Sequence, residues 1–364
     1  MKHIIKCYLY LLIASLFIHT SLFAETAKQK LDSHEVTEVG KFLGAKDATH
    51  PVWFKDSFLD LEEDIAEATE NNKRLVVYFW QPGCPYCDQL WSDNFAQQSV
   101  VDEFRNNFDI VALNMWGDRE IVNVGGNEYS EKTFAEALGI KYTPTLLFFD
   151  ENKKVIHQLN GYVPVDNFQR SMSFVSGKFE KETSFSEYSK KDSISASKKV
   201  SKRGLNKQAF FIPASINLVK KENDLLDKKY TLVFFEEEHC DNCDLLHQKT
   251  LKDSATLALA QQFNAVQLDR NSQIKVITPK GKETSADQWA SALGIEYLPA
   301  MVFFDEEGSQ VMRIDTQLRT FHVQSVFDYV LSGSYQKEAN FQRYISARAD
   351  EIRETGKDVD IFAY

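Results

Sequence analysis

An internal repeat is the sequence feature that most constrains the fold of this chain. The segment Phe134–Val155, "FAEALGIKYTPTLLFFDENKKV", returns as "WASALGIEYLPAMVFFDEEGSQV" at Trp289–Val311. The shared Leu-Gly-Ile, Tyr, Pro and Phe-Phe-Asp positions lie 155 residues apart, and two Cys-x-x-Cys pairs lie 156 residues apart. This period is much longer than the roughly 20 to 50 residues of solenoid units. The repeat therefore predicts duplication of a whole domain.

Each copy alternates predicted strands with predicted helices. The apolar runs "RLVVYFW" and "TLVFFEE" are typical of buried strands. A cysteine pair, a helical segment and a second strand follow each run, and then a Gly-containing hairpin leads to a helix predicted to begin at Ser130 or Ser285. Two more strands and a closing helix, near residues 166–176 and 323–332, end each copy. This order predicts two tandem α/β domains.

Composition divides the 364 residues into six predicted segments. Lys2 and Lys6, the apolar run 8–18 and a cleavage position at Ala24 are typical of a signal peptide. The alternative is a retained N-terminal membrane anchor, but the apolar run is shorter than the roughly 20 residues that a membrane span needs. The predicted segments are a signal peptide at 1–24, a lead-in at 25–50, a first domain at 51–182, a Ser/Lys-rich linker at 183–206, a second domain at 207–346 and a tail at 347–364.

Charge and cysteine usage narrow the class of protein. The formal charge of −11 becomes −13 without Lys2 and Lys6, which argues against nucleic acid or anionic lipid as a general partner. Once Cys7 leaves with the signal peptide, the only cysteines are the two tight pairs, so the chain is not a disulfide-stapled scaffold. We expect an exported protein with no transmembrane segment after signal cleavage.

The two cysteine pairs are the candidate catalytic residues. Cys84 and Cys87, like Cys240 and Cys243, follow a predicted strand and open a predicted helix. Backbone N–H groups at a helix N-terminus stabilise a thiolate, so the first cysteine is expected to be an exposed nucleophile and the second the thiol that resolves the mixed disulfide. A structural bridge and a metal site remain alternatives for such a pair.

The second pair has different chemical surroundings. Acidic neighbours oppose a thiolate and raise its pKa, and the adjacent His239 would offset part of this effect. The second site is therefore predicted to be either tuned or partly degenerate. The acidic residues are Glu236, Glu237, Glu238, Asp241 and Asp244. The histidines that belong to no motif, His157, His247 and His322, are expected at the surface.

Strand, "CPYC" or "CDNC", helix, and then "YTPT" or "YLPA" before an apolar strand resemble the thioredoxin superfamily. Within it, the long stretch between cysteines and proline and the "F-x-x-Y" tails resemble periplasmic thioredoxin-related proteins of the sulfur-oxidation (SoxW-like) type. The resemblance implies two tandem thioredoxin-like domains, each with a central mixed sheet flanked by helices.

The resemblance also implies the remaining site residues. Pro144 and Pro299 would be cis and lie beside the cysteine pairs, and the preceding Thr143 and Leu298 would help to set substrate preference. The aromatic side chains most expected to touch substrate are Tyr86 and Trp80. Plain thioredoxins bury an acid where this chain has Tyr78 and Phe234, so proton transfer to Cys87 would use water or another group.

These observations predict a periplasmic thiol–disulfide oxidoreductase with redox disulfides Cys84–Cys87 and Cys240–Cys243. The resemblance suggests that it reduces exported client proteins and is recharged by a membrane thiol-transfer protein, with no cofactor and no nucleic acid. A disulfide oxidase or isomerase is the alternative within the same chemistry. A thiolate site for copper or zinc, or a docking module, is the alternative outside it.

Overall fold

The computed structural model describes residues 38–47, 50–189, 204–213 and 217–364. The predicted signal peptide and most of the predicted linker lie outside these ranges. Within them, no helix is both long enough and apolar enough to cross a membrane.

The first half of the chain forms one α/β domain. Its strands are β1 (Phe42–Leu43), β2 (Arg74–Trp80), β3 (Phe108–Asn114), β4 (Glu120–Val122), β5 (Glu128–Ser130), β6 (Thr145–Phe149) and β7 (Val155–Asn160). Its helices are α1 (Leu61–Glu70), α2 (Pro85–Gln89), α3 (Gln98–Asn107), α4 (Glu131–Ala137) and α5 (Val165–Ser176). Both faces of β2 and β6 are buried, which explains their nearly continuous apolar sequences.

The second half repeats this arrangement and adds a long C-terminal helix. Its strands are β8 (Thr231–Glu236), β9 (Asn264–Asp269), β10 (Lys275–Ile277), β11 (Glu283–Ser285), β12 (Ala300–Phe304), β13 (Gln310–Ile314) and β14 (Val359–Asp360). Its helices are α6 (Asp241–Gln248), α7 (Ser254–Ala260), α8 (Ala286–Ala292), α9 (Thr320–Leu331) and α10 (Phe341–Glu354).

The two central sheets have the same topology. The strand orders are β3-β2-β6-β7 and β9-β8-β12-β13. In each sheet the strand before the cysteines pairs in parallel with one neighbour and antiparallel with the other. Helices flank both sheets, so the prediction of two domains with mixed central sheets is confirmed. The cysteine pair follows the same central strand in each copy.

Local structure departs from the sequence prediction at two places. The helical segment predicted after the first cysteine pair is divided, because a π-helical turn at Leu90–Asn94 separates α2 from α3. Ser130 caps α4 through a reciprocal pair of bonds with Thr133, whereas the Ser285 side chain bonds to Asp287 and leaves the α8 backbone uncapped.

The two domains pack with approximate twofold symmetry. Tyr142 and Tyr297, which are equivalent in the repeat, each reach the last central strand of the other domain. Gly161 and its equivalent Thr316 meet directly, since a Cβ atom built on Gly161 would lie 2.6 Å from Thr316 Oγ1. Contact between equivalent residues is what a twofold axis produces. The repeat is therefore an internal pseudo-dimer.

The C-terminal segment breaks this symmetry, because it lies across the first domain. Strand β14 pairs in parallel with β1, which lies before the central sheet of the first domain. From α10, Gln342 donates to the Lys141 carbonyl at 2.8 Å, and Arg343 pairs with Glu136 at 2.7 Å. This segment determines which of the two cysteine sites is covered.

Candidate redox sites

The first cysteine pair lies at the junction of strand and helix that the sequence predicts. Cys84 follows β2 at the N-cap of α2 and is disulfide-bonded to Cys87, whose backbone N–H donates to Cys84 Sγ at 3.1 Å. The Thr143–Pro144 peptide bond is cis. It places the Thr143 carbonyl oxygen 3.6 Å and its hydroxyl oxygen 3.3 Å from Cys84 Sγ. The disulfide and the proline loop therefore form one site.

The exposed nucleophile expected at Cys84 is a prediction that the structure corrects. Cys84 is 2% exposed and faces a cavity of about 140 Å³. The cavity lies between the domains, and its lining from the second domain consists of Leu318, His322, Gln342, Ile345, Ser346, Ala349 and Ile361. The pattern within one copy predicts a helix tip in solvent, but it contains no information about the surface of another domain that packs over it.

Tyr86 connects the first site to the part of the second domain that lines this cavity. Its hydroxyl accepts a hydrogen bond from the Arg319 backbone N–H at 2.9 Å, and its ring packs edge-on against His322 and Phe362. Burial raises the pKa of Tyr86 and lowers the pKa of His322 to about 4. Tyr86 therefore contacts the second domain and lines the cavity at Cys84, and its contact with substrate stays a prediction.

The second cysteine pair is the more accessible one. Cys240 is partly exposed at the N-cap of α6, is bonded to Cys243, and accepts a hydrogen bond from the Cys243 N–H at 3.1 Å. The Leu298–Pro299 bond is cis. Leu298 and Cys240 line a cleft of about 370 Å³, to which the first domain contributes Pro164, Asp166, Asn167 and Arg170, and the segment after it contributes Phe185 and Ser189.

The acidic environment expected around Cys240 is partly neutralised. Glu236 is fully buried and bonds to His247 at 2.8 Å and to Gln267 at 2.8 Å. Glu237 pairs with Arg270 at 3.1 Å. Glu236 and Glu237 thus have bonded partners, which weakens the predicted opposition of the acidic residues to a thiolate at Cys240.

The surface positions expected for three histidines are wrong. His247 and His157 are buried, at 3% and 4% exposure, and His322 is partly buried against Tyr86. Burial lowers the pKa of His157 to about 3. His247 occupies the repeat position of Trp91, and its partner Glu236 that of Trp80. A buried polar pair thus replaces two indoles beside the second disulfide.

The other predicted site residues divide between the site and the core. Trp80 packs edge-on against His50, with ring centroids 4.5 Å apart, and does not line the cavity at Cys84. Pro299 lines a small pocket together with Leu318 and Tyr364. Tyr78 and Phe234 are fully buried. Sequence reasoning missed Arg319 and Gln342, because both act on the first site from the other domain.

The metal alternative gains no further ligands in the part of the chain that the structure describes. There, no three His, Cys, Asp or Glu side chains are grouped so that they could hold an ion. All four cysteines at the two sites are paired as disulfides. Any such metal centre would have to be built on reduced cysteines.

Two Cys-x-x-Cys disulfides, each at a helix start beside a cis proline on a four-stranded mixed sheet, define the thioredoxin-fold class. The chain belongs to the family of thioredoxin-like domains, whose model matches residues 61–176 and 219–331, more than half of its length. No curated protein matches it.

Three solved structures illustrate the similarity. A thioredoxin-fold protein from Helicobacter pylori is 23% identical with a TM-score of 0.31, covering 34% of this chain and 82% of that one. The periplasmic thioredoxin SoxS from Paracoccus pantotrophus is 21% identical with a TM-score of 0.21, covering 30% and 100%. The DsbD C-terminal domain from Neisseria meningitidis is 14% identical with a TM-score of 0.25, covering 31% and 91%.

Proposed function

We propose that this protein is a periplasmic thiol–disulfide oxidoreductase that reduces disulfides in exported proteins. The observation that carries the proposal is the juxtaposition of the Cys84–Cys87 disulfide with the loop before cis-Pro144, which recurs as a cis proline loop in the second domain. The position of each first cysteine at a helix N-cap favours the thiolate that such exchange needs.

The proposed cycle transfers two electrons from a dithiol to a substrate disulfide. The Cys84 thiolate attacks one substrate sulfur, which forms a mixed disulfide and releases the other sulfur as a thiolate. The Cys87 thiolate then attacks Cys84 Sγ, which frees the first substrate sulfur and leaves Cys84–Cys87 oxidised. Cys240 and Cys243 take the same two roles in the second domain. Two protons are taken up by the substrate thiolates, and a dithiol donor restores the enzyme.

The compartment and the donor are part of the proposal. The signal-like segment at 1–24 supports export, and the repeated "F-x-x-Y" tails support the sulfur-oxidation (SoxW-like) subgroup. A membrane thiol-transfer protein is the electron donor that we propose, and exported proteins with disulfides are the clients. Oxidation or isomerisation of the same clients is the alternative direction, and it depends on the potential of each pair.

A reduction assay with cysteine-to-serine variants tests the proposal. The pre-reduced wild-type protein should reduce a protein disulfide such as that of insulin, and the variant with all four cysteines replaced by serine should be inactive. The pairwise variants Cys84→Ser/Cys87→Ser and Cys240→Ser/Cys243→Ser should each retain part of the activity. Equal rates for the wild type and the four-cysteine variant would refute a thiol-based reaction.

A further inference from the structure

We propose that the second domain is a removable cover on the first redox site. In the closed arrangement, protein substrates react at Cys240, small thiols react at both sites, and a protein reaches Cys84 only when the domains separate. The inference rests on the proposed thiol–disulfide exchange. It adds an order of access that neither site shows by itself.

The first sulfur, Cys84 Sγ, has less free space around it than the second, Cys240 Sγ. Cys84 is 2% exposed and faces about 140 Å³, whereas Cys240 is partly exposed in a cleft of about 370 Å³. The first cavity exceeds the roughly 10–15 Å³ that one water needs on the same measure, so water and a small thiol can enter it. It does not admit the folded surface of a second protein.

The second domain is hydrogen-bonded to first-domain residues around Cys84. Gln342 of α10 donates to the Lys141 carbonyl at 2.8 Å and accepts from Gln81 Nε2 at 2.9 Å, so it joins both sides of the cavity at Cys84. Tyr142 donates to the Arg313 carbonyl at 2.8 Å. The chain just before Thr143 is thus bonded to the second domain beside the cavity at Cys84.

The contact between Gly161 and Thr316 provides a way to disturb the closed arrangement by substitution. A Cβ atom at Gly161 would lie 2.6 Å from Thr316 Oγ1 and 2.8 Å from its Cγ2, so Gly161→Ala should force the domains apart. Gly161 has a φ of +70°, and Gly139 has a φ of +66° with no atom within 4 Å of its Cβ position. Gly139→Ala is therefore a matched control for backbone strain without an interdomain clash.

The experiment measures reduction of each disulfide by dithiothreitol and by reduced thioredoxin. Cys240→Ser/Cys243→Ser isolates the first site, and Cys84→Ser/Cys87→Ser isolates the second. The ratio of the thioredoxin rate to the dithiothreitol rate should be at least about tenfold lower at the first site than at the second. Thioredoxin reaches the first site only in the open state, and such minor states commonly have populations of about 0.1–10%.

The variants then test the cause of that difference. In the background that isolates the first site, Gly161→Ala should raise the thioredoxin rate and leave the dithiothreitol rate unchanged. Gly139→Ala should raise neither, and adding Thr316→Gly to Gly161→Ala should restore the slow thioredoxin reaction. Gln342→Ala removes two interdomain hydrogen bonds and provides a second opening variant if Gly161→Ala does not fold.

Two results would overturn the proposal while leaving the proposed function intact. One is a normalised thioredoxin rate at the wild-type first site equal to that at the second. The other is a slow first site that neither opening variant accelerates. If dithiothreitol and thioredoxin reduce neither disulfide, the proposed function itself fails, so the two failures are distinguishable.

Discussion

Tyr142 and Tyr297, which occupy equivalent positions in the two copies, each place a hydroxyl on the other domain. Tyr142 donates to the Arg313 carbonyl at 2.8 Å, and Tyr297 lies 2.5 Å from Ser171 Oγ and 3.3 Å from His157 Nε2. Both tyrosines stand two residues before a cis proline. The loop that completes each redox site therefore also holds the domains together.

Removing either hydroxyl should weaken the closed arrangement. We expect Tyr142→Phe to lower the free energy of unfolding by about 1 kcal/mol, the usual net value of one hydrogen bond. Tyr297→Phe should cost more, about 1 to 3 kcal/mol, because it leaves buried partners on Ser171 and His157 without their contact. Urea denaturation measures both values. Equal, negligible losses would contradict the role assigned to these loops.

Thr143 should stabilise the thiolate of the reduced first site. Its hydroxyl lies 3.3 Å from Cys84 Sγ, and a hydrogen bond to the charged form of a group lowers its pKa. Thr143→Val should therefore raise the pKa of the reduced Cys84 thiol. The pH dependence of alkylation by iodoacetamide, with the second pair replaced by serine, measures this change.

The second copy provides the reverse experiment. Leu298 stands at the place of Thr143 and has no hydroxyl. Leu298→Thr should lower the pKa of the Cys240 thiol by a similar amount in the variant that lacks the first pair. Unchanged alkylation profiles in both variants would show that this side chain does not act on the sulfur.

The buried pair of Glu236 and His247 should be sensitive to single substitutions. Glu236→Leu leaves His247 and Gln267 without their shared acceptor, which should cost about 1 to 3 kcal/mol. The double variant Glu236→Leu/His247→Leu removes both partners and should be less destabilised than the sum of the single variants. Chemical denaturation of the four proteins of this cycle gives the coupling energy. A coupling of zero would mean that the two side chains do not depend on each other.

His157 should make stability depend on pH. Its pKa falls from 6.5 to about 3 in the folded protein, so below pH 6.5 the unfolded chain binds a proton that the folded chain does not. The stability present above pH 6.5 is then lost as the pH falls toward 3, by up to about 1.4 kcal/mol per pH unit. His157→Gln should reduce this slope in urea denaturation between pH 6 and about pH 4.

The sequence predicts the parts of this molecule that depend on local pattern. The buried runs 74–80 and 231–236, the cysteine pairs and the two prolines have repeat spacing and chemistry that specify each domain by itself. The burial of Cys84 depends on how α10 and the tail pack across another domain, and no periodicity encodes that packing. The Glu236–His247 contact was missed for a similar reason, because an acid next to a cysteine motif gives no sign of pointing inward.

Redox titration of each isolated pair tests whether both disulfides take part in thiol–disulfide exchange. With the other pair replaced by serine, the fraction of reduced cysteines is measured by mass spectrometry across glutathione or dithiothreitol buffers. We expect a reversible two-electron transition for each pair, with a reduction potential between about −270 and −120 mV. If the protein is a reductase, the potential of the first pair should lie toward the lower value. Potentials below about −300 mV for both pairs, as in structural disulfides, would contradict it.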